Sequence, residues 1–67
     1  MEIFAERLKE LRTERGLSLS GLGDKIGVSK TAVMYWESGK KIPSALVLKQ
    51  LALFFGVSAD YLLGLED

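Results

Sequence analysis

Three times in this chain a glycine, an apolar residue and a serine stand together: Gly16-Leu17-Ser18, Gly27-Val28-Ser29 and Gly56-Val57-Ser58. Glycine reaches the left-handed conformation that commonly ends a helix, and a serine hydroxyl accepts from the first free backbone N–H groups of the next one. Each triplet therefore marks a place where one helix stops and another starts within three residues. Gly39 followed by Pro43-Ser44 makes the same change over a longer connection. These marks divide the chain into helices near residues 2–15, 19–26, 30–37, 45–55 and 59–63. No stretch alternates with a period of two for long enough to form a strand. The expected fold is all-α: a compact five-helix bundle forming one domain over residues 1–67.

Helices this short do not persist alone in water, so each must lay one side on a shared core. The periodicity supplies Phe4, Leu8 and Leu11 from the first helix, Leu22 and Ile26 from the second, and Val33 and Trp36 from the third. Leu48, Leu51, Ala52 and Phe55 come from the fourth, while Leu17, Val28, Ile42, Val57 and Leu62 are expected to plug the turns. At 67 residues a single core only just suffices, burying roughly 60% of the unfolded surface. The opposite side of the first helix carries Glu2, Glu6, Glu10 and Glu14, a solvated row of like charges partly offset by Arg7 and Lys9. The second helix carries Gly21 and Gly23, each costing about 1 kcal/mol against alanine in a helix interior. Alanine at Gly23 should therefore stabilise the domain by up to roughly 1 kcal/mol, provided the site has room for a methyl group.

Composition removes several function classes. With no cysteine and no histidine there are no disulfides and no thiolate or imidazole metal ligands. No carboxylates cluster to run acid–base chemistry, so neither an enzyme nor a cofactor is expected. The apolar run Leu51 to Phe55 is far too short to span a bilayer, and no signal peptide is visible. A soluble cytoplasmic domain is expected.

The net charge is zero, but the charges are segregated. Residues 1–24 hold Arg7, Lys9, Arg12 and Arg15 against Glu2, Glu6, Glu10, Glu14 and Asp24, for −1. Residues 25–49 hold Lys25, Lys30, Lys40, Lys41 and Lys49 against Glu37 alone, for +4. Residues 50–67 hold only Asp60, Glu66 and Asp67, for −3. A concentrated positive patch steers a polyanion. It coincides with the third helix, in which Val33 and Trp36 face one side and Lys30, Thr31, Met34 and Tyr35 the other.

The second helix, the turn Gly27-Val28-Ser29 and the third helix have the arrangement of a helix-turn-helix. The order RLKELRTERGLS, then DKIGVSKTAVMYWESGKKIPS, then LALFFGVSADYLLGL resembles the phage-repressor-like helix-turn-helix domains, the XRE or Cro-type family, from Phe4 to Leu65. The resemblance implies a DNA-binding transcription regulator, a repressor in the simplest case, whose third helix enters the major groove of an operator. By that resemblance Lys30, Thr31, Met34 and Tyr35 read base edges. Lys30 has donor chemistry for guanine, Thr31 can bond a base or touch a thymine methyl, and Met34 offers apolar contact. Lys25, Ser29, Lys40 and Lys41 are then expected at the phosphates, which position the protein without reading sequence. Arg12 and Glu37 match a pair that forms a structural ion pair in the family. Three positions depart from the family pattern: Leu19 stands where a phosphate-binding glutamine is usual, and Gly21 and Gly23 replace a polar residue and an alanine.

The fourth helix adds an expectation about assembly. With Leu48, Leu51, Ala52 and Phe55 on the core side, Leu46 and Leu53 lie almost opposite, with Val47 and Phe54 on the flank. Tyr61, Leu63 and Leu65 follow in the last segment. An apolar stripe outside the core normally marks an interface. A homodimer through Leu46, Leu53, Phe54, Tyr61 and Leu65 is therefore expected, with a C-terminal domain or a regulatory protein as the other candidate cover. The alternative function is a protein-interaction module, antitoxin-like or bound by an anti-repressor, on the same fold with weakened DNA binding. In a bacterial host, the DNA-binding reading would place the chain at the nucleoid.

Overall fold

The computed structural model describes residues 2–67 and contains five helices. They are α1 (Glu2–Glu14), α2 (Leu19–Ile26), α3 (Lys30–Glu37), α4 (Ala45–Phe55) and α5 (Ala59–Leu63), with no strand among the described residues. The serine hydroxyls at positions 18, 29, 44 and 58 accept from the N–H groups of Gly21, Ala32, Val47 and Tyr61, at 2.9, 3.1, 3.3 and 2.9 Å. Each hydroxyl satisfies a donor that its helix cannot satisfy internally. The first helix ends one residue earlier than expected. Arg15 already belongs to the turn, its N–H shared between the carbonyls of Leu11 and Arg12.

Phe4, Leu8, Leu22, Val33, Trp36, Leu51, Ala52, Phe55 and Leu62 form one contiguous buried core. Leu11, Leu17, Ile26, Val28, Leu48 and Val57 pack against it as partly buried neighbours. α2 lies mainly on α3, α1 on α3 and α5, and α4 on α2 and α5. The exposed surface is 4152 Å², against roughly 10,700 Å² for an unfolded chain of this mass, so about 60% is buried, as expected for the size.

Two expectations about the interior are corrected. Ile42 does not plug a turn: it is 59% exposed. After α3 the chain runs outward, because the N–H groups of both Lys40 and Lys41 bond back to the carbonyl of Tyr35. Val47 and Leu48 of α4 pack against the core instead, which also removes Val47 from the exposed stripe. The second correction concerns Gly23. It is buried, and a Cβ built there would lie 2.6 Å from the carbonyl oxygen of Val28, which is backbone and cannot swing aside. There is no room for the methyl group, so the glycine is the condition for the close turn between α2 and α3.

Candidate nucleic-acid interface

The junction of α2 and α3 is set by backbone chemistry. Gly27 adopts φ 84° and ends α2. Its N–H and that of Val28 both donate to the Gly23 carbonyl, at 2.7 and 2.8 Å. The chain then needs only Val28 and Ser29 before Lys30 opens the next helix. Leu22 from α2 and Val33 and Trp36 from α3 bury the facing sides.

With that side fixed inward, Lys30, Thr31 and Met34 are exposed on the outer side of α3, near its capped start. Tyr35 is only partly exposed, and its ring lies beneath two ammonium groups, Lys41 Nζ at 5.2 Å and Lys40 Nζ at 5.8 Å from the centroid. Lys25, Lys40 and Lys41 are exposed, with Asp24 beside Lys25. Ser29 is exposed as well, its hydroxyl committed to the α3 cap. Leu19 packs against the core.

Glu37, the one carboxylate in the basic segment, is turned away from this surface. Arg12 of α1 donates to it through Nε (2.6 Å to Oε2) and Nη2 (3.0 Å to Oε1), and through Nη1 to the Leu17 carbonyl (2.7 Å). Both side chains are largely enclosed, at 12% and 9% exposed. The hydrogen bond to Glu37 raises the Arg12 pKa above its ordinary value, against the opposing effect of burial. The pair fixes the end of α3 to α1 and keeps the Glu37 charge engaged away from Lys30, Lys40 and Lys41.

Two further arginines, Arg7 of α1 and Arg15 just past its end, have contacts that periodicity does not reveal. Arg7 donates to the carbonyls of Tyr61 and Glu66, the latter at 2.7 Å, and its guanidinium lies 4.3 Å from the Tyr61 ring centroid. Arg15 lies over Phe54 and Phe55, at 5.3 and 5.5 Å. These contacts divide the residues expected at a dimer interface. Leu46, Leu53 and Leu65 are 66%, 72% and 73% exposed, whereas Phe54 and Tyr61 are partly buried and each carries an arginine over its ring. Among the described residues, no three carboxylates come close enough to hold a metal ion, and no helix is long and apolar enough to cross a membrane.

A family model described as helix-turn-helix matches residues 8–62. Over 64 residues the chain is 42% identical to the HTH-type transcriptional activator BcrR of Enterococcus faecalis, a match covering 96% of this chain and 31% of that protein. The chain thus spans about a third of the length of that relative. The P22 c2 repressor in complex with a synthetic operator superposes with a TM-score of 0.86 at 29% identity, over 92% of this chain and 94% of that one. The N-terminal DNA-binding domain of SinR from Bacillus subtilis gives 0.84 at 33% identity, over 94% and 93%. SinR in complex with the SinI protein gives 0.80 at 34% identity, over 90% of this chain and 59% of that one.

Proposed function

The chain belongs to the helix-turn-helix family, and from that membership we propose that it is the DNA-reading unit of a transcription regulator, placing α3 in the major groove of an operator. The observation that carries this reading is the division of α3: Val33 and Trp36 are buried while Lys30, Thr31 and Met34 stand free at its capped start. Lys30 would donate to guanine O6 and N7, Thr31 would meet a base edge or a thymine methyl, and Met34 would supply apolar contact. Lys25, Lys40 and Lys41, with Ser29 at the helix start, would take the phosphates. Repression by occupying the operator is the simplest outcome. The relatives include an activator as well as repressors, in keeping with a reader whose regulatory sign is set by where the operator lies relative to the promoter. Such a unit works in the cytoplasm, at the nucleoid.

Assembly is part of the proposal. A two-fold homodimer through the exposed Leu46, Leu53 and Leu65, flanked by Phe54 and Tyr61, would present two copies of α3 to half-sites about one helical turn apart. A protein partner or a further domain covering these residues is the second reading; a relative of the fold is known in complex with another protein, SinI, and the BcrR relative is longer than this chain. The direct test of DNA reading is selection of bound duplexes from a random pool. One sequence should be enriched, and Lys30→Ala should lose about 1–3 kcal/mol on it and relax the preference at one position. Failure to enrich any sequence, or intact specific binding after both Lys30→Ala and Thr31→Ala, would refute the assignment.

A further inference from the structure

We propose that Tyr35 acts on DNA indirectly, as a positioning residue that holds Lys40 and Lys41 ready for the phosphate backbone. The inference rests on the reading of α3 as the groove helix and reassigns one of its four outward side chains. The Tyr35 carbonyl accepts three hydrogen bonds from the segment that follows: Lys40 N–H at 3.0 Å, Lys41 N–H at 3.3 Å and the Ser38 hydroxyl at 3.1 Å. Gly39, at φ 80°, lets the chain turn back sharply enough to make them. The same turn brings both ammonium groups within 6 Å of the Tyr35 ring centroid, the range in which a ring attracts a cation.

Two adjacent ammonium groups repel each other and would otherwise spread apart in solvent. The ring offsets that repulsion, and Glu37, the nearest carboxylate in sequence, is committed to Arg12. Side chains already held near their working positions lose less freedom when they meet phosphate. The partial burial of Tyr35, beside the exposed Lys30, Thr31 and Met34, fits a support better than a probe.

The test measures Tyr35→Leu and Tyr35→Phe in the native chain and in a Lys40→Ala/Lys41→Ala background. Each is titrated with a random-sequence duplex and with the duplex selected from the pool, across a range of salt. Tyr35→Leu should weaken both duplexes by the same factor, about three- to tenfold. It should also flatten the log–log salt dependence by up to about 0.9 for each phosphate that is no longer neutralised. Tyr35→Phe should match the native chain, and neither change should matter once both lysines are gone. Tyr35→Met provides a second ringless variant, with thermal unfolding as the control for folding. A loss confined to the selected duplex would make Tyr35 a base reader and overturn the inference. Unchanged or tighter binding by Tyr35→Leu would do the same, as would Tyr35→Phe behaving like Tyr35→Leu. A native chain that binds neither duplex would overturn the proposed function itself, and this inference with it.

Discussion

Removing Arg12 should damage this domain more than removing its partner Glu37, although they form one ion pair. Arg12 makes three hydrogen bonds, two to Glu37 and one to the Leu17 carbonyl. Arg12→Ala leaves a carboxylate that is 9% exposed without a cation, and the carbonyl without its side-chain donor. Leaving one member of an enclosed pair uncompensated costs about 3–5 kcal/mol. A domain of this length has a total stability of only about 3–10 kcal/mol, so the variant should be partly unfolded at room temperature. Glu37→Gln keeps an oxygen acceptor for the guanidinium and leaves the Leu17 contact alone, so about 1–2 kcal/mol is expected. Arg12→Met with Glu37→Leu removes both charges and sacrifices mainly the Leu17 bond, about 1 kcal/mol. The double variant should therefore be more stable than Arg12→Ala by at least about 2 kcal/mol. Urea unfolding followed through the single tryptophan, the buried Trp36, measures all four proteins. The raised pKa of Arg12 keeps its contribution present across the neutral range, to be lost only in strong alkali as pH rises through the folded-state value. A double variant as unstable as Arg12→Ala, or Glu37→Gln as harmful as Arg12→Ala, would refute the reasoning.

Gly23→Ala should destabilise by about 1–2 kcal/mol, since overpacking against the Val28 carbonyl outweighs the gain in helix propensity; a higher urea midpoint would show that the turn yields. Arg7→Ala should cost about 1–2 kcal/mol by freeing the Tyr61 and Glu66 carbonyls and baring the Tyr61 ring. Its amide hydrogen exchange should rise first in α5, and a uniform rise would argue against local anchoring. Leu53→Asp should shift the native chain from dimer to monomer in sedimentation equilibrium. A native chain that remains monomeric at high micromolar concentration without DNA would defeat the free-dimer proposal.

Helix positions were legible in the sequence because their boundaries are written in residues a few positions apart. Ser18 with Gly21, and Gly27 with Gly23, are local pairs whose chemistry does not depend on the rest of the fold. The core was legible for the same reason, since helical spacing selects one side. What escaped depends on contacts distant in sequence or on backbone approach. The Arg7 and Arg15 contacts join residues 54 and 39 positions apart, and no period marks them. Gly23 looked like a weak point because propensity describes a helix without its neighbours. Ile42 looked like a plug because it is apolar, whereas the path of the backbone after Gly39 decides where it points. At the candidate interface, spacing gave the outward positions of Lys30, Thr31 and Met34, but not the lysines gathered over Tyr35.

The serine and glycine marks at the helix ends also bear on how the chain reaches its fold. A helix that began or ended one turn away from its place in the sequence would leave its cap hydroxyl facing the wrong amide and its glycine inside a helical turn. Such shifted states are penalised by contacts within three or four residues, whatever the rest of the chain is doing. What remains for the chain to settle is how five segments with fixed ends form and dock together, a problem of short loops and nearby contacts. Topologies of that kind fold in about microseconds to milliseconds, exposing their apolar sides only briefly on the way.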